Sequence, residues 1–399
     1  MNVLVLNCGS SSIKYQLLNM EGQPALLAKG IVEKIGLTYG NFTYKPVNKE
    51  ALTIEQPIPN HSVGMDLILQ ALVDKNHGIL ESLNEINAVG HRVAHGGEYF
   101  SESVLIDEEV KTKIEALGEI APLHNPANLK GIQTMEKLLP SVPQVAVFDT
   151  SFHYTLPKAA YIYGIPYDYY EEYGVRRYGF HGTSHKFVAE KACNLLGWNI
   201  QEKKIITCHL GNGASITAIS KGKSVDTSMG FTPVAGLVMG TRAGDLDLGA
   251  LLYICEKEGL NLSQANSLIN KKSGLLGISG VSSDFRELRT AKESGNERAK
   301  LAMEVFYYNV KKYIGAYAAV LNGVDLIIFT GGIGENDANT RYQICKELDY
   351  LGVQIDQANN EAFRGKDGII SVKEGKTTVM SVTTDEELVI AMDTVRLSK

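Results

Sequence analysis

The chain opens with a short apolar run, Val3 to Leu6, which gives way to a polar turn of Asn7, Gly9, Ser10, Ser11 and Ser12. Ile13, Tyr15 and Leu17 then alternate with Lys14 and Gln16, and a period of two marks a strand. The unit is strand, small turn, strand. It recurs about half a chain later as Ile205 to Leu210, a turn of Gly211, Asn212, Gly213, Ala214 and Ser215, and a second strand from Ile216 to Ile219. Two copies of one hairpin predict a duplicated domain.

The pattern between and after the hairpins predicts strands over Leu26–Glu33, Tyr39–Tyr44, Ile86–Val93, Gln144–Phe148 and Asp325–Thr330. Apolar positions at helical spacing predict helices over His61–Asn76, Asp107–Leu117, Ser184–Leu196, Leu246–Glu258, Leu262–Lys271 and Asn296–Leu321. Asn125-Pro126 reads as an N-cap followed by proline at the first helical position of a helix running to about Leu139. Thr384 with Glu387 three residues on reads as the capping box of a last helix. Strand and helix alternate throughout, so the class is α/β. A domain boundary falls near Asp149. The division expected is an N-terminal domain, 1–149, joined by a C-terminal helix, 384–399, and a second domain, 150–383.

Hydrophobic residues make up 44% and charged residues 21% of the 399, so a well-filled core is expected and disorder is not. The net charge of −6 comes with no long single-sign run, which argues against nucleic acid or an anionic membrane as main partner. Five scattered cysteines without a C-x-x-C pair fit reduced thiols rather than a disulfide or zinc framework. No basic n-region precedes the first turn, and the apolar span from Ile314 to Phe329 is broken by Asn322, Gly323 and Asp325. The expectation is a soluble, cytoplasmic protein. Seven of the nineteen tyrosines fall in residues 161–178, interleaved with Asp168, Glu171 and Glu172. Such a segment is a poor nucleic-acid platform and reads as a partly buried interface, with a subunit contact as one option.

Several clusters could carry chemistry. The first turn lacks the G-x-x-x-x-G-K-[ST] spacing and following helix of a Walker loop. Its glycine lets a backbone approach an anion, its hydroxyls and N–H groups can donate to phosphate, and the Asn7 amide oxygen suits hydrated Mg²⁺. An ordinary polar hairpin is the alternative. Arg92 ends a strand beside Gly96-Gly97, an arrangement suited to capturing a carboxylate or phosphate or to a plain ion pair. Asp149 ends a buried-type strand, where an acid is rarely left without a partner or a metal. His181 stands just before a helix start, where anions are favoured. Arg242 is a second arginine framed by glycines, and two such arginines without a basic surface point to one small anion shared between them. Asp284-Phe285-Arg286 and the glycine turn 331–335 could flank an adenine and its ribose.

Together NCGSSSIK at 7–14, HRVAHGG at 91–97, DTSFH at 149–153, HGTSH at 181–185, HLGNGAS at 209–215, MGTRAGD at 239–245 and GGIGEN at 331–336 resemble the acetate kinase family, in its order and over almost the whole chain. Each motif alone is weak; seven in sequence are specific. The resemblance implies two duplicated actin-like ATPase domains of ribonuclease H-like fold, with a cleft that closes between them. It implies reversible phosphoryl transfer from ATP to acetate, giving acetyl phosphate and ADP, with a small carboxylate and a nucleotide as partners and a homodimer as the assembly. Asn7 and Glu386 would bind Mg²⁺, with Mn²⁺ as a substitute, and Lys14 would reach the nucleotide phosphates. Arg92 and Arg242 would hold the carboxylate and the phosphoryl group, Asp149 would donate or accept a proton, and His181 would stabilise the transition state. His209, Leu210, Gly211, Asn212, Gly213, Asp284, Phe285, Arg286, Gly331, Gly332, Ile333, Gly334 and Glu335 would contact ATP, and Ala94, Leu123, Phe180 and Pro233 would line an apolar acyl pocket.

Physical chemistry qualifies one of these roles. A carboxylic acid with a pKa of roughly 4 to 5 is ionised at neutral pH, so a general base has no proton to remove. Asp149 is expected mainly to orient a metal-bound water or an arginine. The family usually carries valine where Ala94 stands, which predicts a looser acyl pocket and relatively better use of propionate. A propionate or other short-chain fatty-acid kinase is the neighbouring alternative. A chaperone-like or filament-forming ATPase switch is the alternative of another class; it would need a peptide-binding domain or filament contacts, for which no spare segment is expected, and it has no use for paired arginines beside a small apolar pocket.

Overall fold

The structure is a computed structural model and describes residues 1–399. The chain separates into two compact units, Met1–Ser151 with Asp385–Lys399, and Phe152–Thr384.

The first unit is built on an eight-stranded sheet. Its strands are β1 (Asn2–Cys8), β2 (Ser12–Asn19), β3 (Ala25–Glu33), β4 (Gly40–Pro46), β5 (Leu52–Gln56), β6 (Ile86–Val93), β7 (Val104–Leu105) and β8 (Gln144–Phe148), in the spatial order β5-β4-β3-β2-β1-β6-β8-β7. β1 pairs antiparallel with β2 and parallel with β6, which pairs parallel with β8. The helices α1 (His61–Leu72), α2 (Glu108–Ala116) and α3 (Asn125–Leu138) fill the connections. The unbroken apolar run in β1 follows from burial on both faces. Leu4, Leu6 and Cys8 join Met65, Ile68 and Met135 of α1 and α3, while Val3 and Val5 join a separate core beneath the C-terminal helix.

The second unit repeats this plan. Short helices α4 (Lys158–Tyr161) and α5 (Asp168–Tyr173) precede α6 (Gly182–Leu196), and then come β9 (Lys204–Leu210), β10 (Ala214–Ser220) and β11 (Lys223–Thr227). Helices α7 (Leu248–Glu258), α8 (Leu262–Lys271), α9 (Gly274–Ser279), α10 (Phe285–Glu293) and α11 (Glu297–Val320) lead to β12 (Leu326–Thr330). After α12 (Gly331–Asn336), α13 (Ala338–Cys345) and α14 (Gln357–Ala362) the chain adds β13 (Gly368–Ile369) and β14 (Thr378–Ser381). The sheet order is β11-β10-β9-β12-β14-β13. With β9 and β10 antiparallel and β9, β12 and β14 parallel, the order and directions match β3-β2-β1-β6-β8. The α/β class and the duplication read from the twin hairpins are therefore both found in the fold.

The chain then returns to the first unit as α15 (Glu386–Leu397), which lies on β1, β6 and β8. Gly90 of β6 permits this close approach, because a Cβ there would sit 2.4 Å from Thr394 Oγ1 and 2.6 Å from Ile390 Cγ2. Three terminus expectations are corrected. The cap of α15 is Asp385, whose side chain accepts from Leu388 N–H, and Thr384 is used elsewhere. α3 is preceded by His124 with no side-chain cap, because Asn125 is turned toward His95. Residues 331–335 form the opening of a helix rather than a turn.

Candidate active site

In the first unit the candidate residues gather at the carboxyl ends of the parallel strands, where open α/β sheets place their ligands. Asn7 at the end of β1 stands directly opposite Lys14 of β2, so the two share a face. Arg92 in β6 spreads its guanidinium over two partners. Nε donates to Asp149 Oδ1 at 2.9 Å, Nη2 to Asp149 Oδ2 at 2.5 Å, and Nη1 to Asn7 Oδ1 at 3.1 Å. The aspartate side chain is 2% exposed and the arginine 26%. Burial works against the Arg92 charge, but the Asp149 carboxylate outweighs it and holds the guanidinium protonated. Glu386, in the first turn of α15, lies in the same field. Burial, with help from Asp149 and Asp385, pushes its carboxyl above the usual range against the pull of Arg92 and Lys14.

The exit from β6 explains the rest of the first histidine motif. Residues 94–96 have left the strand, and side chains take up their N–H groups: Ala94 N donates to Asn128 Oδ1 at 3.0 Å, His95 N to Asn125 Oδ1 at 3.1 Å and Gly96 N to Thr150 Oγ1 at 2.9 Å. Ala94 is thereby buried, while Leu123 is exposed. His91 is structural: it bonds Gln144 Oε1 at 2.6 Å, and burial holds it neutral with a pKa of about 4.

In the second unit, a Cβ placed on Gly213 would lie 3.5 Å from Arg242 Nη1 and 3.6 Å from His181 Nε2, so both side chains face the β9–β10 turn. His181 opens α6 in a left-handed conformation, stacks on His209 at 4.2 Å between ring centres, and bonds Ser215 Oγ through Nδ1 at 2.9 Å. Ser215 in turn meets His185 Nε2 at 2.7 Å, and burial, reinforced by His153 and His209, keeps His185 neutral. Arg242 contrasts with Arg92. Burial lowers its proton affinity, no carboxylate pairs with it, and its side chain reaches only Met239 Sδ at 3.8 Å. A half-buried guanidinium in that state is poised for an anion.

Beside the same turn is a cavity of about 610 Å³, lined by Gly211, Asn212, Asp284, Phe285, Arg286, Gly332 and Ile333 among others. That volume suits a small organic ligand. It unites three of the stretches singled out in the sequence. Asn336, the last residue of the GGIGEN motif, also lines it, as do Ser283, Arg289 and Asp337, for which the sequence carried no signal beyond proximity. Arg286 pairs with Asp284 and pulls its carboxyl down to about 2. Phe285 packs edge-on against Phe306 at 5.0 Å within the core. Leu210 is fully buried. Glu335 is engaged internally, its Oε1 accepting from Thr330 Oγ1 at 3.1 Å, Gly331 N at 2.9 Å and Thr384 N at 3.0 Å. Phe180 is buried in the core of this unit and Pro233 half-buried in the loop after β11.

No three His, Cys, Asp or Glu side chains converge as a cage for a metal ion. The Asn7 amide, its oxygen oriented by Arg92, and the Glu386 carboxylate are oxygen donors of the kind a hard cation accepts. So sparse a protein set fits Mg²⁺, which keeps several waters and binds through one or two protein oxygens plus substrate phosphates.

A model of the acetokinase family matches residues 2–392. The chain is 56% identical over 397 residues to an acetate kinase of Phocaeicola vulgatus, covering 100% of this chain and 99% of that relative. It is 54% identical to an acetate kinase of Bacteroides thetaiotaomicron, with both covered in full. Among solved structures, the acetate kinase of Porphyromonas gingivalis matches with a TM-score of 0.96 at 52% identity, each chain covered 100%. A propionate kinase from Francisella tularensis matches with 0.92 at 42% identity, 99% of each chain covered. No helix is long and apolar enough to cross a membrane.

Proposed function

Since this chain belongs to the acetokinase family, we propose that it carries the γ-phosphoryl group of ATP directly and reversibly to acetate, giving acetyl phosphate and ADP. It is an enzyme of the acetate kinase class, with a carboxylate as phosphoryl acceptor. The acceptor is already ionised at neutral pH, so positioning and charge neutralisation are the work left to the protein. The observation that carries the reading is the inequality of the two arginines. Arg92 is already matched by Asp149, whereas Arg242 has no carboxylate of its own.

Arg242 receives the phosphoryl group in flight, with His181 beside it to stabilise the added charge. Arg92 orients the acceptor carboxylate. Asp149 holds Arg92 in place rather than moving a proton, which is supported by the engagement of both its oxygens. The nucleotide occupies the cavity between residues 211–212, 284–286 and 332–333, with His209 at its phosphates, and Lys14 is the first unit's candidate for a phosphate contact. Of the other residues named for ATP contact, Leu210, Gly331 and Gly334 shape the backbone, and Glu335 holds the start of α12. Ala94, Leu123, Phe180 and Pro233 bound the acyl group. Asn7 and Glu386 would hold Mg²⁺, which when bound neutralises charge on the nucleotide phosphates.

The working assembly is a homodimer in the cytoplasm. Leu248 and Leu252 on α7 and Leu262 on α8, two helices with no buried residue, are exposed and support an interface there.

Trapping the product with hydroxylamine tests the reaction. Acetyl hydroxamate should form in proportion to ADP and only when acetate is present. ATP consumption that ignores acetate and leaves no trappable acyl phosphate would overturn the reading in favour of an ATPase switch. Running propionate and butyrate beside acetate ranks the acids.

A further inference from the structure

The loop after β11 carries both Pro233 and Arg242 yet has no ladder to hold it, as residues 228–247 contain neither helix nor strand. The stretch just before Pro233 is held in part by the tyrosine-rich segment, which the sequence suggested as an interface. Tyr163 is one contact: its phenolic oxygen accepts the Phe231 N–H at 2.8 Å. Gly230 leaves the space for it, since a Cβ there would lie 2.5 Å from that oxygen. Arg177 supplies a second anchor, its Nη1 donating to the carbonyls of Thr227, Ser228 and Met229 at 2.8, 3.0 and 3.1 Å. The guanidinium also stands 5.9 Å from the Tyr163 ring centre. Burial keeps the Tyr163 phenol protonated, so it meets the loop as a neutral hydroxyl. One backbone N–H and three successive carbonyls are thereby fixed immediately upstream of Pro233.

We propose that Tyr163 is a positioning residue for acid recognition, holding Phe231 and with it the Pro233 wall, while Arg177 pins the start of the same loop. The proposal rests on the reading that Pro233 bounds the acyl group. It predicts that the KM for the acid moves more than the KM for ATP, because no residue of the pinned stretch 227–233 lines the nucleotide cavity.

Tyr163→Phe keeps the ring and removes the acceptor of a half-buried N–H. We expect the KM for acetate to rise about 5- to 10-fold, the effect of one lost hydrogen bond in such a place. The KM for ATP should stay within about twofold, a bound far below one hydrogen bond's worth, and the propionate-to-acetate ratio of kcat/KM should rise. Arg177→Lys, which keeps the charge but not the reach to three carbonyls, should give the same split and decides the matter if the first variant does not fold. Equal changes in the two KM values, or a lowered melting temperature with both KM values unmoved, would overturn the proposal. Acetate-dependent hydroxamate formation by the native enzyme, measured alongside, separates this failure from a failure of the assigned reaction.

Discussion

Replacing Asp149 with asparagine separates an orienting carboxylate from a catalytic base. The native pair has two N–H···O bonds, at 2.9 and 2.5 Å, with the aspartate almost wholly buried. Asparagine offers one acceptor and one NH₂, so one bond is lost and two donors face each other. A hydrogen bond to a charged group contributes roughly 1.5–3 kcal/mol. The arginine side chain is 26% exposed, so solvent screens part of that, and about 2 kcal/mol is the working figure. Expressed wholly in the transition state, it lowers kcat/KM about 30-fold. The assay is kcat/KM for acetate against pH. Native and Asp149→Asn log profiles should run parallel, since an orienting carboxylate moves no proton and acetate is ionised in both. A double-mutant cycle sharpens the test: if Asp149 acts only through Arg92, its substitution in an Arg92→Ala background should cost almost nothing. A titrating limb that vanishes in Asp149→Asn, or a further tenfold loss without Arg92, would refute the reasoning.

Acid should weaken the fold before it titrates the carboxylates. Burial lowers His91 and His153 to about 4 and His95 to about 3, whereas an unfolded histidine titrates near 6.5. Below pH ~6.5 the unfolded chain binds protons that the folded chain refuses. The stability these residues contribute is therefore complete above that pH and is lost toward pH 4, at up to about 1.4 kcal/mol per pH unit for each. Urea midpoints at pH 7.5, 6 and 5 should fall in that order, and a flat or rising series would contradict the assignment. At the acyl pocket, Ala94→Val adds bulk at a buried position. It should lower the propionate-to-acetate ratio of kcat/KM by about 5- to 10-fold, the low end for one methylene's fit; an unchanged ratio would remove Ala94 from specificity.

Where sequence and structure agree, the reason is periodicity. The strands at Ile86–Val93 and Gln144–Phe148 carry apolar positions dense enough to locate them to the residue, and both glycine hairpins to within two residues. β14 is four residues long and opens on threonine, too short for a period to register. Helix ends misled where a side chain had a longer-range task. Asn125 looked like a cap but spans to His95, thirty residues earlier, and Thr384 looked like a cap but bonds Glu335 and Ser184. Gly331-Gly332 resembled a turn because glycine signals only that the backbone is free, and here that freedom opens a helix. At the candidate site the residue types were legible while their pairing was not. Both arginines stand beside glycines, and only the fold matches Asp149 to Arg92 while leaving Arg242 without a carboxylate.

The central claim is that the carboxylate attacks the γ-phosphorus directly, with the protein forming no bond to it. ATP made chiral at that phosphorus with three oxygen isotopes reports this in a single turnover. Inverted configuration in the acetyl phosphate is the predicted result; retention, the mark of two successive displacements through a phosphorylated side chain, would contradict it.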